Sequence, residues 1–173
     1  DKKARVSKIV HGSLEDGKGI RTVVFFAGCP LSCKWCHNPE CIEQKPVIMY
    51  LKNKCILCGK CISVCKEAIS ADASGIKIDR EKCTSCGECS KVCLGEALCL
   101  SQSEMTTDEI FSEIIADISY YKYSGGGVTF SGGECLRQPD ALKDILLSCK
   151  KEGINTCIET CLDISWKTVS EIA

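Results

Sequence analysis

The chain has 173 residues, a net charge of −1 and 45% hydrophobic residues. That balance suits a globular fold with a core, and it argues against nucleic acid or an acidic membrane surface as the main partner. The longest apolar run, around Val23–Ala27, is far too short to span a bilayer.

Seventeen cysteines are the outlying number. A disulfide-rich secreted domain is the bland reading. Against it stand an odd count, a first segment (Asp1-Lys2-Lys3-Ala4-Arg5) without a signal-peptide apolar stretch, and eleven thiols in C-x2-C type clusters. Those are metal spacings, and they place the chain in a reducing, oxygen-poor cytoplasm. The lack of an initiator Met reads as trimming.

In chain order, Ala4–Val10 is β-prone and Gly12–Gly19 a turn. Arg21–Ala27 reads as a buried strand, β-branched, aromatic and unbroken. It delivers the loop Gly28–Pro39, in which Cys29, Cys33 and Cys36 stand at C-x3-C-x2-C. An iron–sulfur cube normally takes four thiolates, so three leave one iron open to a substrate. A loop at the C-terminal end of a strand also fits an α/β barrel.

Residues 41–104 differ in character. After a strand signal at Pro46–Leu51 comes an internal repeat: Cys55, Cys58, Cys61 and Cys65, then Cys83, Cys86, Cys89 and Cys93, offset by 28 residues. This is the bacterial two-cluster ferredoxin run, in which the fourth cysteine of each copy serves the other cluster. Cys55, Cys58, Cys61 and Cys93 are therefore assigned to one cube, and Cys83, Cys86, Cys89 and Cys65 to another. Gly59 and Gly87 let the backbone fold tightly round each. The usual proline after the fourth cysteine is Lys66 in one copy and Leu94 in the other. Zinc knuckles are the competing reading, but zinc favours paired C-x2-C elements.

From 105 the α/β pattern resumes. Thr106–Glu109 has capping-box form and opens a helix with Ile110, Phe111, Ile114, Ile115 and Ile118 on one face, ended by Gly125–Gly127. Val128–Phe130 is a short strand running into Ser131-Gly132-Gly133-Glu134. Pro139–Glu152 is a helix, Ile154–Thr160 a strand, and Ser165 caps Trp166–Ala173. Most Gly-Gly pairs are turns; paired glycines also let backbone approach a ligand.

The loop GCPLSCKWCHNPE resembles the radical S-adenosylmethionine (SAM) superfamily, in its glycyl-radical-enzyme activating branch. The resemblance implies a fold: the N-terminal part of a partial (β/α)6 TIM-like barrel (residues 1–40 and 105–173) with an inserted bacterial-ferredoxin-like 2[4Fe-4S] domain (41–104). It implies that the open iron is chelated by SAM, with Cys29, Cys33 and Cys36 as the catalytic cluster ligands. Trp35 and His37 would lie against adenine, although Trp35 could equally be core and His37 a loop hydrogen-bonder. Gly132, Gly133 and Glu134 match the G-G-E motif that meets the amino group of SAM. Glu159 and Thr160 match positions that hold a monovalent cation near its carboxylate. Departures are Lys18 for a proline, Cys135 for a proline after Glu134, and Leu162 for a glycine.

The activity so implied is reductive cleavage of SAM and installation of a glycyl radical on a partner glycyl radical enzyme, with flavodoxin or ferredoxin as electron donor. Rival readings are a radical SAM enzyme for a small molecule and a plain ferredoxin. A full eight-unit barrel takes about 250 residues, and the residues outside the insert make about three and a half βα units. The family's later D-x-K stretch and late His are absent, so the chain resembles the first half of an activase, expected to be a poor catalyst alone and to carry an unpaired strand edge. His11 has no partner identifiable from sequence. Cys41, Cys99, Cys149, Cys157 and Cys161 read as buried small hydrophobes, with Cys41 the only one near the open cube.

Overall fold

A computed structural model describes residues 2–173. In chain order its elements are β1 (Lys3–Ser13), β2 (Arg21–Phe26), β3 (Ile48–Tyr50), α1 (Lys60–Val64), β4 (Ile69–Asp72), β5 (Gly75–Ile78), α2 (Glu88–Lys91) and β6 (Leu98–Leu100). There follow β7 (Ser103–Thr106), α3 (Thr107–Ala116), α4 (Ile118–Ser124), β8 (Gly127–Gly132), α5 (Pro139–Lys151), β9 (Asn155–Ile158) and α6 (Trp166–Ile172). They fall into two compact units, one up to Lys45 with Gln102–Ala173, the other Pro46–Ser101. Among the described residues no helix is long and apolar enough to cross a membrane.

The first unit is a mixed α/β layer with no closed barrel. Its five-stranded sheet runs β7-β1-β2-β8-β9. β2, β8 and β9 are parallel, with Phe26 opposite Gly132 and Phe130 opposite Ile158. β1 is antiparallel to both β2 and β7. β2 and β8 are covered on both faces, as their unbroken apolar composition requires. Phe26 and Phe130 meet edge to face at 6.2 Å, over Ile110, Ile114, Leu142 and Ile145 from α3 and α5. β1 runs on past Val10 to Ser13 because Val10 pairs with Val23 and Ser13 with Arg21, polar residues notwithstanding.

α3 opens on the capping box: the Thr106 hydroxyl accepts from the Glu109 amide at 3.1 Å and the Glu109 carboxylate accepts from the Thr106 amide at 2.8 Å. Thr106→Ala is expected to cost about 1 kcal/mol, read as a lowered urea midpoint at unchanged slope. The single helix expected through Ile118 is in fact two. It breaks at Asp117, whose carboxylate accepts from the Thr22 hydroxyl at 2.5 Å and pairs with His11 Nδ1 at 2.6 Å. The Tyr121 hydroxyl donates to Thr22 Oγ1, and burial pushes its pKa up to about 12. His11 thus has a partner after all, 106 residues away.

In the second unit β3 pairs with β6 and β4 with β5, both antiparallel. Its small core is Ile48, Ile69, Ile76 and Leu98, with Cys61 and Cys89. The Val47 amide donates to the Ser101 hydroxyl at 3.1 Å and the Ser101 amide to the Val47 carbonyl at 2.9 Å, tying the unit's two ends together.

Candidate functional site

Parallel pairing brings the C-terminal ends of β2, β8 and β9 to one edge of the first unit. From β2 the chain enters the cysteine loop, whose two ends are knotted together. The Gly28 amide donates to the Cys41 carbonyl at 2.7 Å and the Cys29 amide to the Ile42 carbonyl at 3.1 Å. Between them Cys29, Cys33 and Cys36 are all partly exposed. From β8 the next turn hooks onto the same base: the Gly133 amide donates to Phe26 at 2.8 Å, and the Glu134 amide to Gly28 at 2.9 Å. Both glycines are required by this approach. A Cβ on Gly132, at φ +113, would run into the backbone of Phe26; one on Gly133 would run into the carbonyls of Gly28 and Cys41.

Glu134 is fully buried. Its Oε1 accepts from the Leu136 amide at 3.0 Å. Its Oε2 accepts from the Thr160 hydroxyl at 2.7 Å, the Cys161 amide at 2.8 Å and the Cys161 thiol at 2.9 Å. A carboxylate offers about four acceptor sites, and Oε1 accepts one of the four hydrogen bonds given to Glu134. Glu159 accepts from the Ser131 hydroxyl at 2.6 Å. Gly132, Gly133, Glu134, Glu159 and Thr160 are therefore gathered round the base of the cysteine loop. Leu162 sits at φ 57, so the backbone keeps a left-handed conformation even without the glycine that takes it freely.

Other residues are corrected by their surroundings. Trp35 is 84% exposed and not a core residue; His37 is exposed too. Cys41 and Cys149 are buried, but Cys99 and Cys157 are half-buried and Cys161 is exposed. Cys41 is not alone near the open loop. The Cys161 thiol is pushed up to about 11, by desolvation first and then by its bond to Glu134, with Cys29 contributing. Cys135 is fully buried, donates to the Phe130 carbonyl at 3.6 Å, and has its pKa raised to about 12 by burial. Sequence reasoning missed Arg21, which is 2% exposed and, among the described residues, in no ion pair. Its guanidinium donates to Thr129 Oγ1 at 2.6 Å, to the Val128 carbonyl at 2.6 Å and to Asn155 Oδ1 at 3.1 Å. It cross-links β2, β8 and β9 at the end opposite the cysteine loop.

In the second unit a small cavity of about 20 Å³ is lined by Cys55, Cys58, Cys61 and Cys93. Burial raises the Cys61 thiol, and the neighbouring Cys93 and Cys55 add to the rise. Cys89 is pushed up to about 11 by burial, with Cys65, Cys83 and Cys86 adding. The fourth cysteine of each repeat thus lies with the first three of the other. Gly59 and Gly87, at φ 72 and 80, start α1 and α2. Among the described residues no three His, Cys, Asp or Glu side chains form a cage for one metal ion. The donor sets are sulfur only, which is the chemistry of an iron–sulfur cluster, whose thiolates sit on separate corners.

The family described as "4Fe-4S single cluster domain" matches residues 15–171. The choline trimethylamine-lyase activating enzyme of Oleidesulfovibrio alaskensis is 43% identical over 165 residues, 93% of this chain and 53% of its own length. The benzylsuccinate synthase activating enzyme of Thauera aromatica is 42% identical over 90% of this chain and 49% of its own. The trans-4-hydroxy-L-proline dehydratase activating enzyme of Clostridioides difficile is 44% identical, over 86% and 50%. The chain spans about half the length of the curated relatives it matches. With a cysteine loop, a G-G-E turn hooked to its base and this match across nearly its whole length, the chain belongs to the family described as "4Fe-4S single cluster domain" and is similar to the activating enzymes just named.

Proposed function

We propose that the protein of which this chain spans the described part activates a glycyl radical enzyme. The observation that carries the reading is the turn Gly132–Glu134 hydrogen-bonded to the base of the Cys29–Cys33–Cys36 loop. These three thiols would hold one cube and leave a corner for SAM. Gly132, Gly133 and the Glu134 carboxylate would take its amino group, Glu159 and Thr160 a monovalent cation near its carboxylate, and Trp35 and His37 its adenine. When bound, cluster and SAM together supply a 5′-deoxyadenosyl radical able to take a hydrogen atom from a glycine of the partner.

The chain's own residues then orient and protect. Gly133 lets the β8 turn lie flat on the loop, and Thr160 and Cys161 fix the Glu134 carboxylate. Arg21 holds the three parallel strands in register beneath. The first unit would be part of a partial (β/α)6 TIM-like barrel. The second unit, near the expected 41–104, would be a ferredoxin-like 2[4Fe-4S] insert fed by flavodoxin or ferredoxin in the cytoplasm.

Reconstituted full-length protein should carry about twelve irons per chain, where a plain ferredoxin stops at about eight. Cys93→Ala should remove about four of them. Incubated with SAM, reductant and a candidate glycyl radical enzyme, it should yield a glycine-centred EPR doublet. Deoxyadenosine without the doublet would instead favour a small-molecule substrate.

A further inference from the structure

The cysteine repeat contains its own control, because each position of one copy has a counterpart 28 residues on. The backbones match: Leu57 and Ser85 both adopt positive φ, 53 and 55, before matched cysteines and glycines. The surfaces do not. Where the first copy carries Ile56, Leu57 and Lys60, the second carries Thr84, Ser85 and Glu88. Crosswise grouping widens the contrast, since Leu94 follows Cys93 into the first thiol group and Lys66 follows Cys65 into the second.

Ile56, Leu57 and Leu94 are 63%, 65% and 65% exposed, round the exposed thiol of Cys58. Ile56 and Leu57 line one cavity with Cys58, Cys93 and Gly95, and Leu94 stands between those last two in sequence. Single exposed leucines are ordinary, but three round one candidate redox centre are a contact surface. Lys52, Lys54 and Lys60 rim this patch in sequence, all exposed and, among the described residues, in no ion pair. Glu96 is the one acid beside Leu94. At the other thiol group most cations are engaged: Lys82 pairs with Asp79 at 3.6 Å, Lys91 with Glu88 at 2.6 Å, and Arg80 donates to the Ile48 carbonyl, which leaves Lys66 as the exposed cation in no ion pair among the described residues.

We propose that the Cys55–Cys58–Cys61–Cys93 end of the second unit is the docking face for an acidic one-electron carrier protein, and that electrons enter here and not at the Cys83–Cys86–Cys89–Cys65 end. This rests on the reading that these thiols hold cubes. Weak redox encounters bury less than about 1,200 Å², so a few apolar side chains at the centre suffice. An unpaired basic rim speeds the encounter with a carboxylate-rich surface and lets the pair separate afterwards. In the step, one electron would leave the reduced carrier, which is oxidised by one electron, and reduce by one electron the iron–sulfur cube that these four thiolates would hold; no bond or proton is exchanged.

The test uses reconstituted full-length protein and reduced flavodoxin in stopped-flow absorbance, with dithionite as a docking-independent reductant. The triple variant Lys52→Glu, Lys54→Glu, Lys60→Glu should lower the second-order rate with flavodoxin by about tenfold or more and abolish its decline with salt. Reduction by dithionite and iron content should not change. The mirror variant Lys82→Glu, Lys91→Glu should stay within about twofold of the parent. Carbodiimide cross-linking of the parent protein to flavodoxin should run through Lys52, Lys54 or Lys60. An unchanged rate in the triple variant, equal slowing in the mirror variant, or cross-links at Lys66, Lys82 or Lys91 would overturn the assignment. So would cross-links from these lysines to the glycyl radical enzyme alone. Failure of the underlying reading looks different: a parent protein with about four irons has no cube at this end, and both proposals fall.

Discussion

Gly132→Ala is expected to remove most of the stability of the sheet that carries the cysteine loop. The residue sits at φ +113, opposite Phe26 in the parallel β2–β8 pair, and an added methyl would strike the backbone oxygen and nitrogen of Phe26. No flexible side chain stands there to move aside. The conformation alone costs about 1–3 kcal/mol for a residue with a side chain, and parting the strands adds more. A total above about 4 kcal/mol is a large share of the 5–15 kcal/mol a domain has to lose. At about 2–4 °C per kcal/mol the melting temperature should fall by about 10 °C or more. Gly12→Ala is the control. Its φ is +75 but nothing lies within 4 Å of the new methyl, so it should cost only about 1 kcal/mol. Equal losses in the two variants would show that backbone conformation, and not the close approach to Phe26, sets the requirement.

Glu134→Gln should combine a structural and a functional loss. The carboxylate accepts from two amides, a hydroxyl and a thiol with no water access. An amide side chain keeps one oxygen and turns an NH2 group toward donors it cannot satisfy, which costs about 1–3 kcal/mol when buried. The remaining oxygen also lacks the charge an ammonium prefers. Chemical denaturation should register the first effect. For the second, SAM titrated into the reconstituted protein should bind at least about tenfold more weakly, roughly 1.4 kcal/mol. Undiminished SAM affinity in a destabilised protein would reduce Glu134 to a tether for Thr160 and Cys161.

What could be read from sequence was what is local or repeated. Thr106 and Glu109 announce a helix start because both capping partners lie within one turn. The two cysteine runs announce that Cys93 lies near Cys55, Cys58 and Cys61 because their spacing is that of a two-cluster ferredoxin, in which the fourth cysteine goes with the other copy. Asp117 was illegible: nothing in a run of helix formers says that Thr22 and His11, about a hundred residues earlier, claim its carboxylate. Arg21 was illegible for the same reason, since its acceptors come from strands not yet formed when the sequence is read. Glu134 was legible as a carboxylate of interest, but not as one already surrounded by donors from its own chain. Leu162 misled in the other direction, because its backbone keeps a left-handed conformation that the side chain alone would not suggest.

The hydrogen bonds between Val47 and Ser101 place the entry and the exit of the cysteine-rich segment next to each other. Such a segment can be gained or lost in ancestry as a cassette, by one junction between neighbouring points of the host chain. Loss of half of it is a different matter: Cys93 lies with the first three cysteines of the other copy and Cys65 beside Cys89, so deleting either copy would take away a thiol that stands with its twin.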